Sequence, residues 1–584
     1  SLITIKVCSL ESLNNYAKIR INLRVLMGKE TYMVYTRNPY KEKNNFLFMD
    51  KQPNYILPEN ASRMMGKDAQ RNNIMAAKIV ADIVKTTLGP KGMDKMLVSS
   101  SGDITITNDG VTILQEMEIE HPAAKMMVEI AKTQEKEVGD GTTTAVMLAG
   151  KLLELSEFLL DNKIHPTTII RGYQRAAEKS QEILRELSFN INPESKEGEE
   201  ALKFIVKTAI TGKGAEIVKE KYSDIIVKAV KQVANGRTVD LSDIKIEKIR
   251  GGSIDDTELI EGVVFDCARV NKEMPQKVVN ARIALIDSSI EIKGPETETK
   301  ISINTPEQLQ GFIDREERII RGIIEKLKAV GANVVICQRG IDDVAQFYLS
   351  QEGIYACRRV PRSDIEKISK ATGAKIVSSI KELTPEQLGI AGIVEEVKEN
   401  DEVTYIKNCK NPKALTIIIR GGTEHVVDEI GRAIDDGLGV VATAIREGKL
   451  VAGGGAIEIE IARRLRQFSH SLNGREQLAV EKFSQALESI PTTLAENAGL
   501  DPIDTITNLR SQHDAGNKNH GLNLFTGNIE DNIKAGIVEP TKIKSQAITS
   551  ATEVATMILR IDDVIGANPK KETYSRLNPS EEMD

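Results

Sequence analysis

Along much of the chain, apolar residues recur every three to four positions, the spacing of helices that bury one face. The first such run begins near Asn72, in "NIMAAKIVADIVKTTLGPKGMDKML", and Gly89-Pro90 predicts that it ends in a turn. The period then changes. In "ITITNDGVTIL" apolar and polar positions alternate on either side of Asn108-Asp109-Gly110, which predicts two strands joined as a hairpin. Helical spacing returns and continues to about residue 187, where the polar, acidic "NINPESKEGEEA" marks a boundary near residues 190 to 200.

Between about 245 and 417, β-branched runs such as "ARIALIDSSI", "ANVVICQ" and "AKIVSSI" alternate with helical stretches, as in a small α/β domain. From "TIIIRGGTEHVVDEI" onward helices run almost to the end. Matching helical parts on both sides of a different middle predict one domain inserted within another. In "INTPEQLQGFIDREERIIRGIIEKLKAVGANVV", Asn304 or Thr305 is placed to cap, Pro306 suits the first turn, and Leu309, Phe312, Ile313, Ile320, Ile323, Ile324 and Leu327 mark the buried stripe. The preceding stretch from Ile292 to Gly311 has few apolar groups to bury. No fixed-period repeat appears.

At 584 residues the chain is too long for one core and predicts about three to five domains. Aromatic residues make up 4% and tryptophan is absent, so no platform exists for stacking bases. Residues 1 to 48 carry eight Lys/Arg against three Asp/Glu, which leaves 70 against 82 in the rest. An acidic body of this kind argues against a nucleic-acid partner. The five cysteines, Cys8, Cys267, Cys337, Cys357 and Cys409, are never spaced C-x-x-C, and read as thiols in a reducing compartment. The six histidines are scattered, so a bound metal is expected to be hard and oxygen-ligated. No apolar run is long enough to span a bilayer and the first residues do not read as a signal peptide, so the expected location is the cytoplasm, without a membrane partner.

The stretch "EVGDGTTTAVMLAG" places Asp140 between two glycines, ahead of three threonines and an apolar run. One reading is a helix start, with hydroxyls for the free amides. The other is an anion site, with backbone donors on a phosphate and a carboxylate for the neutralising metal. No G-x-x-x-x-G-K-[ST] exists, since "AGKLL" and "TGKGA" lack its first glycine and final hydroxyl, and no G-x-G-x-x-G follows a strand. That leaves Gly89, Asp109, Asp140, Gly453 to Gly455 and Asp436 as candidates, each weak alone.

Together these stretches identify a family. Residues 72 to 172 resemble the equatorial domain of a group II chaperonin, the archaeal thermosome and eukaryotic cytosolic chaperonin family. The resemblance resumes in "GANVVICQRGIDDVAQFYL", "IRGGTEHVVDE", "AENAGLDPIDTI" and "GIVEPTKIKSQAITSATEVATMILRIDDVI". It covers residues 49 to 584 and is strongest to archaeal subunits. Residues 1 to 48 lie outside it, and Met49 is a candidate start.

The resemblance implies a multidomain α+β chain. Its mostly helical equatorial ATPase domain would span 49–195 and 453–584, and its small intermediate domain 196–263 and 417–452. An α/β apical domain would span 264–416, with a helical protrusion at about 292–322 as a built-in lid in place of a separate co-chaperonin. The implied activity is an ATP-driven chaperone, with identical or homologous subunits in stacked rings and unfolded proteins as substrates.

By the same resemblance Asp140 would bind Mg2+. Gly141, Thr142, Thr143 and Thr144 would wrap the ATP phosphates, with Gly89 closing over them. Asp109 and Asp436 would place and deprotonate the attacking water, as phosphoryl transfer asks chiefly for positioning and charge compensation. Gly454 would lie against the ribose, Glu539 would meet the nucleoside, Lys544 would close the pocket and Lys213 would sense the terminal phosphate. One departure stands out: Gly437 occupies the position after Asp436 where the family has alanine, and Gly439 follows, which predicts a more mobile catalytic helix. A scaffold subunit would be expected to lack Asp140, Asp109 or Asp436, and all are present. A metabolic kinase is opposed by the missing P-loop.

Overall fold

The computed structural model describes residues 20–24, 30–34, 61–213, 218–291, 305–398, 402–410 and 412–567. The run near Asn72 is the helix α1 (Lys67–Lys85), followed by α2 (Gly110–Glu116), α3 (Pro122–Val138), α4 (Thr142–Asp161) and α5 (Pro166–Leu187). The middle of the chain supplies α6 (Lys196–Ile210), α7 (Lys219–Val233), α8 (Pro306–Ala329), α9 (Asp343–Gln351), α10 (Arg362–Thr372) and α11 (Glu424–Glu447). The last are α12 (Ala456–His470), α13 (Glu476–Asn497), α14 (Pro502–Asp514) and α15 (Thr541–Leu559).

Helices from both ends of this order share one core. Within it α4 is wrapped by α1, α3, α13 and α15, and its Ala145, Val146, Leu148, Ala149, Leu152 and Leu153 have no exposure. A helix apolar on nearly every side is stable only at such a centre. A second core joins α6, α7 and α11 to a three-stranded sheet. There Leu415–Gly421 lies parallel to Ile244–Arg250 and antiparallel to Glu258–Ile260.

The α/β middle is a seven-stranded sheet. Its order is Tyr355–Cys357, Val334–Cys337, Lys277–Ile286, Gly389–Lys398, Glu402–Cys409 and Val263–Asp266, with Ile376–Val377 also on Lys277–Ile286. Period-2 alternation sends Ile283 and Leu285 toward Ile365 and Ile368 of α10, and Ala284 and Ile286 toward Ile320, Ile324 and Leu327 of α8. Thr305 is the cap of α8, accepting from Gln308 N at 3.3 Å, with Pro306 in the first turn. The expected stripe holds at Ile320, Ile324 and Leu327, while residues 292–304 and the side chains of Leu309, Phe312 and Ile313 lie outside the described residues.

The hairpin expected around Asn108-Asp109-Gly110 is corrected. Ile104–Thr107 pairs backward with Lys95–Val98, and Asp109 begins a helix. The alternation in "ITIT" was a true strand signal. A carboxylate that caps the amide three residues on wins over the turn. In the N-terminal extension Arg20–Arg24 pairs antiparallel with Glu30–Val34.

Candidate functional site

α4 begins with Gly141 as its N-cap residue, which has no side chain to offer the first-turn amides. The amides of Thr142, Thr143 and Thr144 are thus left as donors at the positive end of a 20-residue helix. The turn before it is held rigidly. Asp140 Oδ1 accepts from Gly141 N at 2.6 Å, and the Asp140 carbonyl accepts from Gln134 Nε2 at 2.9 Å. The same buried amide donates to the Ile543 carbonyl at 3.2 Å, tying the turn to α15. Gln134 was not picked out from the sequence, where it is one more polar residue on α3.

Asp109 faces this helix end from the start of α2. Its Oδ2 accepts from Thr112 N at 2.9 Å and Thr112 Oγ1 at 2.7 Å, which fixes the carboxylate's orientation. Gly110, also unforeseen, allows the approach: a β-carbon there would stand 2.6 Å from Thr143 Oγ1.

Asp436 is not the solvated surface residue that an isolated helical aspartate usually is. It forms an ion pair with Lys213, and the two side chains are 15% and 16% exposed. The Lys213 loop is held in turn by Asn108 Nδ2, which donates to the Gly212 carbonyl. Burial pushes Asp436 up to about 8, Lys213 opposes this, and the carboxylates of Asp140 and Asp109 add to it. Burial disfavours charge on Lys213, but Asp436, Asp140 and Asp109 outweigh it and the ammonium holds its proton more firmly than usual. Three carboxylates around one ammonium leave negative charge that a divalent cation would neutralise. Among the described residues no cluster of three or more His, Cys, Asp or Glu forms a closed metal cage. The carboxylate oxygens beside the open amides are hard donors of the kind that would suit a divalent cation whose shell is completed by phosphate and water.

Farther along the cavity Gly454 lies between two strands' ends, its carbonyl accepting from Leu522 N at 2.9 Å, and Asn532 Nδ2 donates to the Gly453 carbonyl at 2.8 Å. Lys544 is buried between Glu539 Oε2 at 2.7 Å and Glu458 Oε1 at 2.9 Å. Burial raises Glu539, partly offset by Lys544. The lysine, disfavoured by burial, is held protonated by Glu458 and Glu539. Glu458 had no sequence signal beyond an acidic residue in an apolar helix.

These residues line one cavity of about 450 Å³ that includes Gly89, Asp109, Asp140, Gly141, Thr142, Thr143, Thr144, Lys213, Gly454, Glu539 and Lys544. Asp436 is not part of its lining and joins through Lys213. A larger cavity, about 590 Å³, lies between α1, α4, α13 and α14. Most of its charges are already paired, as in Lys85–Glu496 and Arg510–Glu488, and it contains none of the candidate residues above.

The helix end and the carboxylates facing it are set in a core built from both ends of the chain. Residues 80–569 match the TCP-1/cpn60 chaperonin family, and the chain belongs to it. It is similar to the thermosome subunit of Methanopyrus kandleri, 56% identical over 517 residues covering 88% of this chain and 94% of that protein. The thermosome subunit of Methanocaldococcus jannaschii is 56% identical over 523 residues, 89% of this chain and 96% of its own. Thermosome subunit beta of Archaeoglobus fulgidus is 55% identical over 521 residues, with 88% and 95% covered. The chain is thus a group II chaperonin subunit, an ATP-dependent chaperone.

Proposed function

We propose that this subunit hydrolyses ATP at the α4 N-terminus, with Asp140 holding Mg2+ and Asp436 and Asp109 positioning the attacking water. The observation that carries the reading is the convergence of Asp109, Asp140, Asp436 and Lys213 on uncapped amides that no side chain of the turn satisfies. The bound ion would compensate phosphate charge as the bond to the leaving group breaks. Thr142, Thr143 and Thr144 bind the phosphates through their amides, Gly141 and Gly89 leave room for them, and Asp436 accepts the proton of the water. Lys213, now on Asp436, is the group that a terminal phosphate would draw away. Gly454 borders the ribose. Glu539, held by Lys544, forms the wall beside the nucleoside.

In this reading the equatorial domain comprises 49–195 and 453–584, the intermediate domain 196–263 and 417–452, and the apical domain 264–416. The subunits stack as rings in the cytoplasm around unfolded proteins, and the segment 292–322 closes the ring as its own lid. Of that segment, 305–322 forms the first part of α8 and 292–304 lies outside the described residues. Among the described residues no helix is long and apolar enough to cross a membrane.

Nucleotide binding and phosphate release measured side by side test the assignment. Asp436→Ala is expected to keep Mg-ATP binding and lose hydrolysis, whereas Asp140→Ala weakens Mg-ATP binding itself. Hydrolysis by Asp436→Ala within about twofold of the parent would remove Asp436 from the reaction.

A further inference from the structure

The seven-stranded sheet does not end in two separated edges. Its terminal strands are Tyr355–Cys357 and Val263–Asp266, yet the chain leaving the second returns to the first: Val270 N donates to the Ala356 carbonyl at 2.9 Å. Across the interior of this seam the hydroxyls of Tyr355 and Thr404 are 2.7 Å apart. Cys267 follows one edge strand and Cys357 ends the other, so closure puts one cysteine on each side. Cys267 Sγ lies 3.4 Å from the carbonyl of Arg358, the residue after Cys357. Cys357 Sγ is 3.6 Å from Thr404 Oγ1, and that hydroxyl donates to the Cys267 carbonyl. The two thiols are also near enough for each to shift the titration of the other.

We propose that Cys267 and Cys357 form a reversible dithiol–disulfide pair, oxidised by exchange with small-molecule disulfides, whose bond locks the seam of the seven-stranded sheet. The site is separate from the nucleotide cavity and independent of its chemistry.

The two thiols differ as an attacking and a resolving group must. Cys267 is partly buried and Cys357 fully buried. The neighbouring Cys357 thiol lowers the Cys267 thiol below its usual range against the effect of burial. The Arg358 backbone and guanidinium assist, and Glu396 opposes. Burial first, and then the neighbouring Cys267, raise Cys357. Cys337 and Cys409 are buried and pushed up to about 11 and about 12, chiefly by burial, so neither competes as a nucleophile.

In the exchange, the Cys267 thiolate attacks one sulfur of the external disulfide. It forms a mixed disulfide and releases one small thiolate, which takes up the proton Cys267 gave up. Cys357 then loses its proton and attacks Cys267 Sγ, expelling the second small thiol with that proton. Two protein thiols are oxidised to one disulfide, and one external disulfide is reduced to two thiols. Reduced small thiols in excess drive the same steps backward.

The test uses the full-length chain carrying Cys8→Ser, equilibrated in buffers of increasing oxidised-to-reduced glutathione, then quenched, alkylated and mapped by peptide mass spectrometry. The expected result is one cross-linked peptide pair joining Cys267 and Cys357, reversed by reduced glutathione, with Cys337 and Cys409 alkylated throughout. In the reduced protein Cys267 should alkylate about tenfold or more faster than Cys337 and Cys409, which serve as internal standards in the same molecule. Glutathione should remain on Cys267 in Cys357→Ser and be absent from Cys357 in Cys267→Ser. Free, alkylatable Cys267 and Cys357 at the most oxidising ratio, or cross-links spread over Cys337 and Cys409, would overturn the proposal. That readout on the unsubstituted pair does not depend on either serine variant folding.

Discussion

Gly139 and Gly439 meet backbone to backbone: a β-carbon on Gly139 would stand 2.7 Å from the Gly439 Cα, and one on Gly439 would stand 2.8 Å from the Gly139 Cα. Asp140 follows the first glycine, and Asp436 lies one helical turn before the second. The contact therefore sets how closely the Asp140 turn and the Asp436 turn of α11 approach each other. Gly437 is also packed, as a β-carbon there would meet Ile226 Cδ1 at 2.8 Å. The glycines of α11 are buried where side chains would clash, which gives them a packing role that helix propensity alone does not reveal.

Gly439→Ala is accordingly expected to lose stability despite the roughly 1 kcal/mol that alanine gains in a helix interior. The neighbour is backbone and cannot rotate away, so overpacking of about 1–3 kcal/mol dominates. Thermal unfolding and phosphate release should both fall. A variant with raised Tm and unchanged hydrolysis would show that the contact is not limiting.

Lys544→Met should cost more. It leaves Glu458 and Glu539 buried without their shared cation, and breaking a buried pair in this way costs about 3–5 kcal/mol. Denaturant unfolding should show the loss, and adding Glu458→Gln with Glu539→Gln to Lys544→Met should restore part of it. No recovery in the triple variant would mean that the lysine acts through packing of its stem.

Acid should loosen the helical core around α12 through Glu460. Burial alone would raise this carboxyl, but His513 at 3.0 Å, Arg463 and Arg464 hold it down, to about 2 from an ordinary 4.5. Because the folded value is the lower one, its stabilising contribution is complete above about pH 4.5 and is lost as pH falls toward 2. Tm measured across that window should drop, and Glu460→Gln should flatten the slope while lowering Tm at neutral pH. An unchanged slope would assign the acid sensitivity to other groups.

Replacing residues 297 to 310 with a short Gly/Ser linker is expected to leave ring assembly and ATP hydrolysis intact and to abolish encapsulation. Protease challenge of a bound unfolded protein under closing nucleotide reads this directly. Protection equal to the parent would place the lid elsewhere.

Local spacing was sufficient for α1, for the lower half of α8 and for the apolar helix behind Asp140, because burial of one face writes a period into the sequence that needs no partner to be read. The family resemblance also named residues that line the cavity, among them Gly89, Asp109, Asp140 and Lys544, and one, Asp436, that does not. What spacing could not supply is anything that depends on two distant segments meeting. Asp109 read as a hairpin residue until Thr112 became its hydrogen-bond donor. Lys213 and Asp436, 223 residues apart, carry no mark of their ion pair. Gln134, Gly110 and Glu458 look ordinary until Ile543, Thr143 and Lys544 stand beside them. Cys267 and Cys357 read as two scattered thiols until the sheet closed. The chain's own periodicity records which face of each element is buried. Which face meets which is set by long-range packing, and it is this packing that shifts a carboxylate, pairs a lysine or brings two thiols together.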